Sequence, residues 1–394
     1  MTSKERFLTA IANGVPDRVP TLPKIYVDLA ARLTGRDLVT VLSDPLEALL
    51  TLVEASRLVQ ADAVRLFHLP SRKLEKSGMQ VMEMNTAREP IGAVDMEGGL
   101  MTFLSDPSSF KVADQRHIAF NHFYTASVPF IRDLDDVGRM VVPKVEFYHE
   151  YGCAQRQAVA IQAAEEAGLA VVGDCDTATM AFLVTMRGMN NAMLDLYDQP
   201  QLAHAIMEKG VLIAAQRGMF HIDAGVRVLR INDSVGNMSV ISPQHWREFV
   251  FPRLKDLCLQ LHGYCPEVKL YCHICGNILP IVDDLVATGL DCIAPLDPLG
   301  GFRPSDIRAR VGNCISLMGG VDTLSFIHKN PTGIEDEGLR CIQEAGQQGG
   351  FVLGSGCVVP RATPLENLRA LHRACEKHGV YKQGILQKEA KVGV

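Results

Sequence analysis

A chain of 394 residues, 47% hydrophobic and 21% charged, is long enough for one large core or two modest ones. A net charge of −6 argues against a nucleic-acid-binding face, which needs clustered Lys and Arg. No apolar run reaches the roughly 18 residues of a membrane span, and the opening MTSKERFLTAI carries charges where an export signal would be apolar, so a cytoplasmic protein is expected.

Apolar runs at 19–25, 62–67, 169–173, 226–231, 268–271, 291–295, 315–319 and 351–354 are predicted strands. Several are apolar throughout, as parallel strands buried on both faces are. Helical periodicity fills the intervals. Ser242-Pro243 supplies an N-cap and a first-turn proline to one helix, and Thr363-Pro364-Leu365-Glu366 has the spacing of a capping box at another. Eight β–α alternations predict an α/β fold, a (β/α)8 TIM barrel spanning 1–394 as a single domain. About a hundred residues separate the second and third strands, so a segment around 70–150 is read as an insertion. Its Gly-rich, alternating part at 78–103 predicts one or two β-hairpins over the barrel mouth. The tail, 382–394, is expected to be poorly ordered.

Eleven cysteines in a reducing compartment are buried hydrophobes, redox groups or metal ligands, not a disulfide framework. Cys153, Cys258, Cys314, Cys341 and Cys375 fall in apolar patterns and are expected to be structural. Three other residues sit where barrel strands end. The strand VKLY runs into Cys272-His273-Ile274-Cys275-Gly276-Asn277, and the last strand FVLG runs into Ser355-Gly356-Cys357. Residues two apart in extended chain point the same way, so His273 and Cys275 can face one point. A barrel gathers its strand ends around one mouth, where Cys357 can join them. Two thiolates and an imidazole suit Zn²⁺ and leave a fourth position open, as in catalytic sites. A bare His-x-Cys also arises by chance, so the residues alone leave metal binding and a structural cluster both open.

His273-Ile-Cys275-Gly-Asn, with Gly354-Ser-Gly-Cys357 separated by six residues from Pro364-Leu-Glu-Asn, resembles the zinc pattern of corrinoid-linked methyltransferases in the uroporphyrinogen decarboxylase superfamily. Lys4-Glu-Arg6-Phe, Asp17-Arg18-Val19-Pro20, Ile241-Ser-Pro243 with Phe249-Val-Phe-Pro252, and Gly319-Gly320-Val-Asp322-Thr extend the resemblance over most of the chain. It implies a distorted (β/α)8 barrel with zinc on His273, Cys275 and Cys357. It also implies methyl transfer between a corrinoid, carried on a separate protein, and a small thiol or methylated compound bound at zinc. The decarboxylases hold a polycarboxylate with an Arg-Gln-Ala-Gly-Arg stretch after the first strand. Here Pro23-Lys24-Ile25-Tyr26-Val27-Asp28-Leu29 has no arginine, which argues against decarboxylation.

Substrate-facing candidates are Asp174, Asp176, Asn232, Asp233, Asp322 and His68, all near strand ends. Asp297 shares that position, and for it and Asp322 a capping or turn role is the competing reading. Other functions left open are a direct thiol or folate methyltransferase without cobalt, and a non-catalytic barrel that binds a corrinoid protein or a small methylated compound. The implied partners are a corrinoid protein and a small molecule, with no nucleic acid and no membrane; a homodimer is left open.

Overall fold

In the computed structural model, which describes residues 1–387, strand β1 (Ala63–Leu66) opens a parallel sheet and an antiparallel excursion follows it at once. Strands β2 (Lys73–Ser77), β3 (Gln80–Met84), β4 (Pro90–Val94), β5 (Thr102–Leu104) and β6 (Tyr124–Thr125) form a separate five-stranded sheet. The expected hairpins are there, joined by β5 and β6 into a larger unit. Arg72, Glu83 and Thr102 are buried and bonded to one another at its centre.

The parallel sheet resumes with β7 (Ala170–Thr177), β8 (Val228–Asn232), β9 (Lys269–His273), β10 (Cys292–Leu296), β11 (Ser316–Val321) and β12 (Phe351–Ser355), in the order β1-β7-β8-β9-β10-β11-β12. Every pairing is parallel, with helices between the strands. The sheet curls, and the segment 19–25 lies in its gap. That segment was expected to be a regular strand. It makes isolated bridges, Thr21 with Leu353 and Lys24 with Val358, and scattered backbone bonds, among them Leu22 to Leu353, Leu353 to Pro20, Val359 to Lys24 and Asp62 to Thr21. The reason is chemical: Pro20 and Pro23 carry no N–H, so a continuous ladder is impossible there. The result is a distorted TIM barrel.

Inside the barrel, Ala63, Val172, Val228, Tyr271, Ala294, Met318 and Val352 pack with Phe7, Ala10 and Ile11 of the helix Ser3–Ile11. The Ser316 hydroxyl donates to the Ile11 carbonyl. The N-terminal helix thereby plugs the end where strands begin, and the strands' C-terminal ends remain for the site.

Two further expectations meet corrections. Thr363 and Glu366 form no capping box: the helix Leu365–His378 has no side-chain cap bond, because Glu366 pairs instead with Arg369 and Arg373. Cys314 is exposed, since it follows the helix Pro304–Val311 in a turn, while Cys153, Cys258, Cys341 and Cys375 are buried. In the tail, Tyr381–Lys382 pairs with Ile385–Leu386 as a short hairpin, and 388–394 lie outside the described residues. Ser242 caps its helix as expected, accepting from the His245 N–H. That helix then widens into a π turn at Trp246–Val250, just before the helix-interrupting Pro252. No helix among the described residues is long and apolar enough to cross a membrane.

Candidate metal centre and its cavity

β9 ends on His273, and Cys275 follows two residues later where the chain turns away at Gly276. Gly276 has φ +88°, a left-handed conformation that a side chain resists, and a Cβ there would meet Asn237 at 3.0 Å. Its N–H donates to Asp297 at 2.8 Å, so this carboxylate shapes the turn that follows Cys275. Cys357 lies two residues past β12. The Ser355 hydroxyl donates to the Cys357 carbonyl at 2.6 Å, and the Gly356 N–H donates to Val321 at 2.7 Å. Both thiols therefore sit on short, pinned turns.

One donor atom each from His273, Cys275 and Cys357 lies within 4.8 Å of the other two, and Cys357 Sγ is 3.7 Å from His273 Nε2. Tetrahedral bonds of about 2.3 Å to sulfur and 2.0–2.1 Å to nitrogen place those two donors about 3.6 Å apart. The donor set and spacing thus fit zinc. The neighbouring Cys275 thiol, together with Lys24, lowers Cys357 below the ordinary thiol value against the cost of its burial. The Cys357 thiol, reinforced by burial, pushes Cys275 up. Burial and the nearby Lys24 keep the His273 imidazole neutral, the form that ligates metals.

Lys24 was not among the expected site residues. Its Nζ lies 2.8 Å from His273 Nε2, and burial with the neighbouring Arg230 pushes its pKa well below the ordinary value. The closing segment delivers it: the Lys24 N–H donates to the Ser355 hydroxyl and its carbonyl accepts from Val359.

Beside the cluster opens a cavity of 320 Å³, lined by Cys275, Cys357 and Lys24 on one side. Of the expected substrate-facing residues, Asp174, Asp176, Asn232 and His68 line it. Asp233 does not. It is fully buried, accepts from the Ala181 N–H at 2.6 Å at the start of the helix Met180–Arg187, and is raised to about 6 by burial. Nor does Asp322, whose carboxylate accepts from the Leu324 N–H and closes a turn. His68 is held through Nε2 by Gln157 at 2.8 Å, and burial lowers it to about 4.

Sequence reasoning missed the arginines. Arg65, Arg217 and Arg230 line the cavity from β1, the helix Pro200–Asp223 and β8. Arg217 pairs with Asp176 at 2.6 Å and donates to Tyr148 and the Ala119 carbonyl. Arg230 chelates Asp174 at 2.8 and 3.0 Å and donates to Asn232 at 2.5 Å. Arg65 reaches the same Asp174 at 3.5 Å, packs over Phe67, and leaves its Nε and second terminal nitrogen without a partner although 8% exposed. Two guanidinium groups share one carboxylate. The signal was present in sequence: an Arg in each of two otherwise apolar strands, AVRLF and VLRIN, where a charge is rarely buried without a purpose. Aromatic rings complete the wall, with Tyr26 stacked on Phe67 at 5.0 Å and Tyr148 on Phe220 at 5.2 Å.

The comparisons with known proteins agree with this architecture. A methylated-thiol--coenzyme M methyltransferase of Methanosarcina mazei is 28% identical over 190 residues, covering 48% of each chain. A uroporphyrinogen decarboxylase of Thermosynechococcus vestitus is 29% identical over 44% of this chain and 49% of its own. The methylcobamide:CoM methyltransferase MtaA of Methanosarcina barkeri is 24% identical over 40% of this chain and 43% of its own. The chain spans about half the length of the curated relatives it matches. A solved methyltransferase from Methanosarcina mazei shares the fold over 96% of this chain and 99% of its own, with TM-score 0.65 and 18% identity. The model of the uroporphyrinogen decarboxylase (URO-D) family matches residues 126–378, more than half of the sequence, and this chain belongs to that family.

Proposed function

We propose that the chain is a zinc-dependent methyltransferase that moves a methyl group between a corrinoid, carried on a separate protein, and a small substrate bound at His273, Cys275 and Cys357. The observation that carries this reading is a two-thiol, one-imidazole cluster with zinc spacing that opens on a ligand-sized cavity. Two of the relatives are named as methyltransferases acting with coenzyme M. Zinc held there would keep a substrate thiol ionised near neutral pH, or polarise the heteroatom of a methylated one. The chain's own part is to fix the ligands on pinned turns, to wall the cavity with aromatic rings, and to orient the substrate. The corrinoid protein would dock over the barrel mouth, in the cytoplasm.

Decarboxylation of a polycarboxylate fits less well. Asp174 and Asp176 already neutralise much of the cationic lining, and 320 Å³ is at the lower end of the roughly 300–1,000 Å³ of ligand pockets. The excess charge of Arg65 beside Arg230 favours instead a substrate with one anionic group. Wild-type protein should therefore prefer mercaptoacetate to 2-mercaptoethanol in competition binding. Arg65→Met should cut affinity for the anionic thiol by about 10–100-fold, the worth of a charged hydrogen bond, and leave the neutral thiol unchanged. A wild type indifferent to thiol charge would refute this.

The function itself is tested by mixing zinc-loaded protein with methylcobalamin and candidate thiols while following the cobalt spectrum. Loss of the methylcobalamin spectrum that depends on both protein and thiol is expected. Thiol methylation from a folate donor with no cobalt change would favour the cobalt-free reading. Absence of bound zinc would favour a non-catalytic barrel.

A further inference from the structure

A thiol that is to be methylated must first lose its proton, and most groups lining the cavity are unable to take it. Arg65, Arg217 and Arg230 stay charged, and Asp174 is spent on Arg230. Lys24 lies against His273, and His68, buried against the neutral Gln157 amide with no carboxylate beside it, is lowered to about 4 and holds a proton poorly. Burial drives the Tyr26 and Tyr148 hydroxyls up, away from neutral pH. His122 remains.

His122 belongs to the turn Asn121–Phe123, which the inserted segment brings to the cavity edge. Its Nδ1 meets Asp176, and the side chain keeps 20% exposure. Asp176 is itself set with unusual care. A register shift in β7 separates it from Asp174, and it holds φ +63°, a left-handed conformation that costs a non-glycine residue about 1–3 kcal/mol. Arg217 grips the same carboxylate and also donates to the Ala119 carbonyl, three residues before His122. The charged groups facing the imidazole are therefore Asp176 from β7 and, behind it, Arg217 from the helix Pro200–Asp223, with the Phe123 ring 4.0 Å away. With its proton on Nδ1, towards the Asp176 carboxylate, the ring presents a lone pair at Nε2 on its opposite side.

We infer that His122, oriented by Asp176 and Arg217, is the proton carrier for the substrate thiol. The inference rests on the proposed function. The S–H bond breaks, its proton passes to Nε2 of His122, and the electron pair stays on sulfur. That sulfur forms its bond to the methyl carbon as the carbon–cobalt bond of the corrinoid donor breaks, leaving its pair on cobalt. The exposed edge of His122 then returns the proton to water. In the reverse direction, protonated His122 supplies the leaving thiolate with its proton.

The test uses Co²⁺-substituted protein, in which thiolate binding raises an ultraviolet charge-transfer band that can be followed by stopped flow without any methyl donor. His122→Asn leaves Asp176 paired with Arg217, so the fold is kept. The variant should bind 2-mercaptoethanol about 100-fold more slowly, the low end for general base catalysis. It should bind a strongly acidic arenethiol, ionised in advance, at the wild-type rate. Added imidazole should restore the slow reaction. Equal slowing with both thiols, or no slowing with either, would overturn the assignment. A wild type that never develops the band would overturn the metal-site reading and this inference with it. Methyl transfer from methylcobalamin should show the same dependence on thiol acidity.

Discussion

Cys357→Ala should lower zinc affinity by about 10³-fold while the fold stays intact. A structural zinc site is worth about 10–16 kcal/mol in total, so one ligand of three or four carries about 3–5 kcal/mol. The remaining pair, His273 and Cys275, offers too few donors to hold the ion tightly. The folding cost is small, because Cys357 is partly exposed on a turn held by backbone bonds and the Ser355 hydroxyl. Zinc should fall from about one per chain to a trace after dialysis against a weak chelator, with melting of the metal-free protein unchanged. Cys314→Ala removes an exposed thiol and is the control: its zinc content should equal wild type. Zinc retained by Cys357→Ala would mean that the metal, if any, sits elsewhere, and methyl transfer at this cluster would fall with it.

The three proposed ligands were legible because a strand's two-residue period places His273 and Cys275 on one side, and because barrel strands share a mouth. The groups beside them were harder to read. Lys24 reaches the cluster only because the closing segment bridges Val358, in the turn beyond β12, a pairing with no local signature. His122 lies in an insertion whose path over the barrel no periodicity encodes, and Arg217 lies mid-helix among apolar neighbours. Arg65 and Arg230 were readable in principle as charges within buried strands. Pro23–Leu29 holds no arginine, but the cavity draws its arginines from β1, β8 and the helix Pro200–Asp223 instead. Asp233 and Asp322 lie outside the cavity for a related reason. A carboxylate just past a strand end can face the mouth, but it can also satisfy backbone N–H groups: Asp322 accepts from Leu324 in its own turn, and Asp233 from Ala181 at the start of the helix that follows β7.

Asp62→Ala should be the most destabilising single change, because one carboxylate holds the barrel's irregular seam. Asp62 is fully buried and takes bonds from Arg6 at 2.8 Å, from Arg18 at 3.0 and 3.1 Å, and from the Thr21 N–H at 2.8 Å. The prolines of 19–25 leave that segment without a ladder, so these side-chain bonds replace the missing backbone ones. Alanine removes the buried carboxylate shared by two guanidinium groups. Arg6 keeps Asp17, but Arg18 keeps only its own neighbour's carbonyl, on Val19. Breaking a buried pair in this way costs about 3–5 kcal/mol. Asp62→Asn retains the acceptor for Thr21 and loses the charge, so it should cost less. Glu165→Ala, which removes an ion pair to Lys4 with both side chains about half exposed, should cost under about 1 kcal/mol. Urea melts of the three variants should rank in that order. A midpoint for Asp62→Ala within error of Glu165→Ala would show that the seam is held by the isolated bridges and the packing of Val19 and Leu22, not by the carboxylate. The expected loss would reach the site as well, since the segment that Asp62 anchors at Thr21 delivers Lys24 to His273 three residues later.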